Sequence, residues 1–400
     1  MTRAPYAGLR HDEDHDIGAR PSPAAAPNRL LALALGGLAA MAAAVGIGRF
    51  VYTPILPLMV EDLGMTRSAA GLLASANNAG YLAGALVAAM PGLPGSRRRW
   101  LLVALLVSAL TTASMAVTSW SPAFLLLRFA GGVASAFGLV YSSALVLDRI
   151  GRGGRPGLSA VHFAGVGTGI AVSAMVVFLS GGWRTAWLAA GLTSLVAVGI
   201  VAALIPDRGD VTAPAPSASG RPAPSLATLV TAYGLFGFGY IITATFLVAI
   251  VRASPQVRAL EAFVWLLVGL TAAPSVGVWT AVEGRVGISR SFALACVLEA
   301  VGVAASALWV RPTGILLAAA LLGATFMGIT ALGLTWARRI APGDPRSTLA
   351  MMTAAFGFGQ IVGPVFAGIV YDATGTLVVP SLAAAGALLA GATLAITRSE

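Results

Sequence analysis

The sequence predicts an all-α membrane protein of twelve transmembrane helices, arranged as two six-helix, pseudo-symmetric halves. Three observations carry this expectation. The 400 residues are 58% hydrophobic and only 10% charged, with a mean hydropathy of +0.87, whereas soluble domains carry about 25% charged residues. The apolar residues gather into runs of about 18–25, the length a bilayer requires, separated by charge, glycine or proline. The basic charge, all of it arginine in a chain of net charge +10, lies in short stretches between those runs. That placement marks loops retained on the cytoplasmic side and argues against a nucleic-acid partner.

The elements follow in order. Residues 1–29 are polar and proline-rich, with an acidic patch and two histidines at 11–16; such a composition builds no core and reads as a disordered cytoplasmic tail. It is too long and too acidic for a secretory signal. The N-terminal half, 30–205, holds apolar runs near 30–57, 68–90, 100–119, 122–147, 158–180 and 184–205. Residues 206–225 interrupt the pattern with five prolines and four charges and read as a cytoplasmic linker. The C-terminal half, 226–397, repeats the plan near 226–251, 260–281, 291–310, 313–336, 348–371 and 376–397.

With the N-terminus placed in the cytoplasm, 18 of the 25 arginines fall inside and 5 outside, while Arg49 and Arg128 lie within spans. The asymmetry holds in both halves and predicts a multi-pass protein of the plasma membrane with both termini cytoplasmic. A single cysteine, Cys296, excludes an intramolecular disulfide and a cysteine metal cage.

The halves also resemble each other. Gly46-Ile-Gly48-Arg49 in span 1 answers to Gly237-Phe-Gly239-Tyr240 in span 7, and Gly165-Val-Gly167-Thr168 in span 5 to Gly357-Phe-Gly359-Gln360 in span 11. Matches at corresponding places of a six-plus-six plan are what parallel transporter repeats produce.

Three local patterns point further. Leu127-Arg128-Phe129-Ala130-Gly131-Gly132 in span 4 resembles the Arg-x-x-x-Gly motif of the major facilitator superfamily. Glu283-Gly284-Arg285-Val286-Gly287 after span 8 resembles its acidic-Arg-x-Gly gating loop. Tyr52-Thr53-Pro54-Ile55-Leu56-Pro57, together with the Gly237–Phe246 string of span 7, is similar to the YbfB/YjiJ-type subfamily. The resemblance spans roughly residues 30–397 and implies the major facilitator fold, with spans 1, 4, 7 and 10 around a central cavity and span 9 at the periphery. The chain departs from the superfamily in two places. Arg97-Arg98-Arg99 after span 2 lacks the accompanying aspartate, and span 5 lacks the Gly-Pro of the antiporter motif, a Gly363-Pro364 standing in span 11 instead.

Charge inside an apolar span costs roughly 2.5–3.5 kcal/mol on translocon scales and usually marks a pathway. At 1.5 Å per residue, Arg49 lies about 16 Å and Arg128 about 10 Å below the outer surface. With no acid at similar depth in that half, the two guanidiniums suit an anionic solute. Each could equally cap backbone carbonyls freed by Gly48, Pro54 or Gly132, or snorkel. Tyr52 and Thr53 share the helical face of Arg49; Tyr240, Thr243 and Thr245 on span 7 and Gln360 on span 11 are the matching polar candidates. Asn77 and Asn78 read as helix-linking amides.

Glu299, the one mid-span acid, and His162 near the start of span 5 are the candidate proton-coupling groups, each with a structural alternative. Asp148 and Arg149 after span 4, with Glu283 and Arg285 after span 8, sit at the cytoplasmic rim and are the candidate gate, expected to form interhelical salt bridges that hold the outward-facing state. No Walker A, His-Glu-x-x-His or Gly-x-Ser-x-Gly string occurs, so neither ATP hydrolysis nor catalysis is expected, and no cofactor or metal. The expectation is a monomeric, proton-coupled secondary transporter of a small organic, anionic solute working by alternating access. A multidrug-type efflux antiporter and a non-transporting membrane sensor are the alternatives.

Overall fold

The structure, a computed structural model, describes residues 27–90, 93–207, 224–341 and 345–397. The acidic patch at 11–16, nearly all of the 1–29 tail and most of the 206–225 linker lie outside the described residues.

Among the described residues every regular element is helical, and the helices form twelve antiparallel-alternating rods. Helix α1 runs from Pro27–Met41 through a π-helical turn, Ala42–Ile47, and resumes as Tyr52–Leu63. Then follow α2 (Arg67–Ala88), α3 (Arg97–Ser114), α4 (Ser121–Arg152), α5 (Leu158–Phe178) and α6 (Trp183–Leu204). The second set comprises α7 (Pro224–Ala253), α8 (Glu261–Val286), α9 (Ile288–Leu308), α10 (Pro312–Ile340), α11 (Pro345–Thr374) and α12 (Val378–Thr397). Eleven of the twelve are long and apolar enough to cross a membrane. The exception is α2, which has the length but carries Asn77 and Asn78 at its centre; both are buried.

The packing repeats itself. α2 packs on α4, α5 on α1 and α3 on α6; in the second set α8 packs on α10, α11 on α7 and α9 on α12. The two large contacts between the sets, α2 with α11 and α5 with α8, exchange into each other under the same correspondence. Both demand close backbone approach. A Cβ on Gly71 would press into the Pro364 carbonyl of α11, and one on Gly269 into the backbone of Gly167 and Ala171. Small residues let membrane helices approach this closely.

Two sequence expectations need correction. Asp148 and Arg149, expected after span 4, lie in the last turns of α4, and Glu283 and Arg285, expected in the loop after span 8, lie in the last turn of α8. The helices overrun the apolar stretch because polar residues propagate a helix until glycine stops it: Gly154 at φ +68° after α4 and Gly287 at φ +85° after α8.

Candidate functional site

The site begins with the break in α1. Pro54 has no N–H and its ring crowds the carbonyl four residues back. The chain answers with a π turn before Gly48 and a slip to Thr53 N–H donating to the Phe50 carbonyl at 3.2 Å. Carbonyls near 48–49 are thereby left without their helical donors. Irregular backbone is tolerated at membrane depth only where protein covers it, and residues 43–57 are buried. Arg128 of α4 supplies the donors: Nη1 reaches the Gly48 carbonyl at 3.5 Å and Nη2 the Arg49 carbonyl at 3.4 Å. Its guanidinium lies 4.7 Å from the Tyr52 ring centre and 5.9 Å from that of Trp187, and its Nε–H has no partner.

Arg49 points toward the other half. Its guanidinium sits 4.0 Å over the Tyr81 ring and 5.6 Å from that of Phe50. Nη2 donates to Asn78 Oδ1 at 2.9 Å, and Asn78 Nδ2 donates to the Gln360 carbonyl of α11 at 2.8 Å. Gln360 Nε2 donates in turn to the Tyr240 hydroxyl of α7. Arg49 and Tyr240, paired by their places in the repeat, are thus the two ends of one hydrogen-bonded chain across the two sets of helices. Gln360 Oε1 is left without a partner. Both arginines are buried, 7% and 5% exposed, and among the described residues neither forms an ion pair with a carboxylate. Between them lies a cavity of ≈ 20 Å³ walled by Tyr52, Asn77, Asn78, Ala244 and Thr245, among others, room for about one water-sized particle.

The other candidates disperse. Tyr52 donates its hydroxyl to the Ala70 carbonyl at 2.8 Å. Thr243 is buried with an unpartnered hydroxyl and lies off the cavity, whose α7 wall is Ile241, Ala244 and the other threonine candidate, Thr245. His162 lies inside the first set of helices, with Nε2 3.2 Å from Ser143 Oγ. Glu299 is fully buried on α9, and neither carboxylate oxygen has a hydrogen-bond donor. The Thr325 hydroxyl of α10 lies beside it but commits its hydrogen to the Leu321 carbonyl at 2.6 Å.

Of the gate residues, Asp148 meets Arg97 at 4.0 Å and Glu283 meets Arg339 at 2.6 Å. Arg149 donates to the Pro206 carbonyl at 3.2 Å, and Arg285 is exposed. Both ion pairs join helices of the same set. Among the described residues, side-chain ties across the sets include several from the centre to the end opposite the chain termini. Thr53 Oγ1 donates to the Ala244 carbonyl and Ser75 Oγ to that of Ile361, each at 2.6 Å. Arg252 grips Glu61 through Nε at 2.7 Å and Nη2 at 2.6 Å, and holds Glu261 with Nη1 at 2.8 Å. Asp372 of α11 accepts the Arg67 and Ser68 backbone N–H groups, each at 3.0 Å, capping α2 from the other set. Sequence reasoning passed over Glu61, Arg252 and Asp372 because charges at span ends are ordinary. It missed Tyr81 as well, although that residue follows Asn78 at i+3 on the same face.

Among the described residues no three His, Cys, Asp or Glu side chains gather as a metal site would need.

The profile described as "uncharacterised MFS-type transporter YbfB" matches residues 41–396. No curated protein matches the sequence. Among solved structures, the fold is similar to the nucleoside transporter NupG, with 15% identity, a TM-score of 0.67, and 92% of this chain covering 98% of that one. A variant of the same transporter gives a TM-score of 0.69. A bacterial homologue of the human lysosomal transporter Spinster, in an inward-facing and unoccupied conformation, gives 14% identity and a TM-score of 0.62, with 92% of this chain covering 94% of that one.

Proposed function

The chain belongs to the YbfB-type family of major facilitator transporters, and from that premise we propose that it is a proton-coupled carrier of a small organic anion. It works by alternating access, as a monomer of the plasma membrane with both termini cytoplasmic. The observation that carries the anion reading is the pair Arg49 and Arg128: two buried guanidiniums resting on aromatic faces beside a cavity between the helix sets, and among the described residues no carboxylate pairs with either. A buried cation lacking an ionic partner is costly, and an arriving carboxylate removes that cost while gaining bidentate hydrogen bonds. A multidrug antiporter for cations would want the opposite charge in this cavity.

Glu299 is the better proton site of the two candidates. An ionised carboxylate there has no donor, while the acid form can donate to the Thr325 hydroxyl oxygen, whose own hydrogen is already used. Thr325 adjoins Phe326, which stacks on Tyr240 at 5.8 Å. Proton loss at Glu299 would therefore be felt, through α10, at the Tyr240 end of the Arg49 chain. His162 is tied to Ser143 within one set.

The ties at the end opposite the termini support reading this arrangement as closed on that side. With cytoplasmic termini, it is closed to the outside. Proteoliposomes test the whole reading. A pH gradient should drive accumulation of a labelled organic anion, and counterflow should exchange it. Saturable binding without exchange would make the protein a sensor, and accumulation indifferent to the gradient would remove the proton.

A further inference from the structure

Two small cavities meet at Phe50 and Ala244. One is the cationic cavity beside Arg49 and Arg128. The other, of ≈ 10 Å³, is walled by Phe50, Tyr240, Trp265 and Phe326 with aliphatic neighbours. The rings of this second cavity are ordered. Tyr240 and Phe326 stack nearly parallel, 6° apart with centroids 5.8 Å apart, and Phe356 continues the stack beyond Tyr240 at 5.7 Å and 3°. Phe50 turns its edge to Phe326, 72° at 5.8 Å, and lies 6.4 Å from Trp265. Trp265 is 1% exposed, its indole N–H has no partner, and its other side borders a cavity of ≈ 330 Å³ near Arg252 and Glu261. A path thus runs from the outer end past Trp265 and an aromatic slot to two guanidiniums.

The same ring, Phe50, borders both cavities and contacts Arg49. A solute whose anionic group sits on the guanidiniums must lay its next atoms along Phe50, toward the flat wall of Tyr240 and Phe326. Small aliphatic acids leave that wall unfilled. A phosphate presents its further charge to a wall with nothing to solvate it. A planar ring satisfies it by offset or edge-on contact.

Resting on the anion reading above, we propose that the solute is an aromatic monocarboxylate, its carboxylate held by Arg49 and Arg128 and its ring between Phe50 and the Tyr240–Phe326 wall. The cavities are too small to hold it in the closed arrangement, so the ring enters as the helix sets part and Phe50 swings from Phe326. Trp265 contributes an N–H to an acceptor on the ring, which would favour hydroxy- or oxo-substituted acids.

The test is calorimetric titration of the full-length, detergent-purified protein with benzoate, acetate, cyclohexanecarboxylate, inorganic phosphate, benzamide and uridine. Benzoate should bind about tenfold or more tighter than acetate, phosphate or cyclohexanecarboxylate. Phe326→Leu should bring benzoate down to the affinity of acetate, and a Phe326→Leu protein that still prefers benzoate about tenfold would overturn the ring's placement. If acetate, phosphate or cyclohexanecarboxylate equals benzoate in the wild type, the aromatic assignment falls and the anion reading stands. If benzamide or uridine equals benzoate and Arg49→Gln changes neither, the anion reading falls too. If monodisperse protein binds none of the six, both are overturned.

Discussion

Removing Asp372 should open the molecule on the side away from its termini. In the closed arrangement its carboxylate caps α2 by accepting two backbone N–H groups, Arg67 and Ser68, each at 3.0 Å. When the helix sets part there, both N–H groups and the carboxylate return to water. The bonds therefore count only in the closed state. An exposed N-cap is worth about 1 kcal/mol, so Asp372→Ala should raise the open population about fivefold. Adding Glu61→Gln weakens the grip of Arg252 (its side chain 18% exposed, that of Glu61 53%) by about 0.5 kcal/mol, a further factor of about two.

The readout is a thiol placed at Thr245, in the wall of the cationic cavity, with the buried Cys296 replaced by alanine. Its modification by a membrane-impermeant maleimide added from the opposite side measures the open fraction. Rates should rise about fivefold and then about tenfold across the two variants. An unchanged or slower rate in Asp372→Ala would refute the idea that this cap latches the two sets together.

Other outcomes follow from the same geometry. Arg49→Gln should cost anion binding by at least about tenfold, read by titration. Arg128→Met should weaken anion binding too and, in addition, lower the thermal midpoint in detergent, because the Gly48 and Arg49 carbonyls lose their donors, a cost of about 1–3 kcal/mol. Glu299→Gln should keep counterflow and abolish accumulation driven by a pH gradient; loss of both activities in a folded protein would make Glu299 structural. Gly71→Leu, pushed against the Pro364 carbonyl, should prevent closure of α2 on α11, trapping the Thr245 thiol in its reactive state and stopping transport.

The membrane spans were legible because each is a local property, an apolar run of the right length. Arg49 and Arg128 announced themselves for the same reason, as charges where none should be. Their partners were not legible. Asn78 and Gln360 are 282 residues apart, and nothing local says that one accepts from Arg49 while the other closes the chain to Tyr240. The break in α1 was half visible, since Gly48 and Pro54 are plain in the string, yet the consequence depends on an arginine arriving from α4. The gate was legible in part. Asp148 and Glu283 pair between helices, with Arg97 and Arg339, each pair within one set. The ties between the sets rest on Glu61, Arg252 and Asp372, unremarkable residues that gain meaning only when distant helix ends meet.

The shortfall of α2 in apolarity bears on how the chain is made. When α2 leaves the ribosome, neither helix that satisfies its central amides has been synthesised. Asn77 Nδ2 will donate to the Arg128 carbonyl of α4 at 2.9 Å, and Asn78 Nδ2 to Gln360 of α11. Released alone into lipid, the two side chains would lack those acceptors, each a buried polar group without a partner. The first acceptor arrives with α4, so insertion of α2 and α4 as a pair is the expected outcome. Substitutions in α4 at the Gly132 contact, where any side chain would strike the α2 backbone, should surface first as failed insertion of α2 in glycosylation mapping of nascent chains, before any transport is measured.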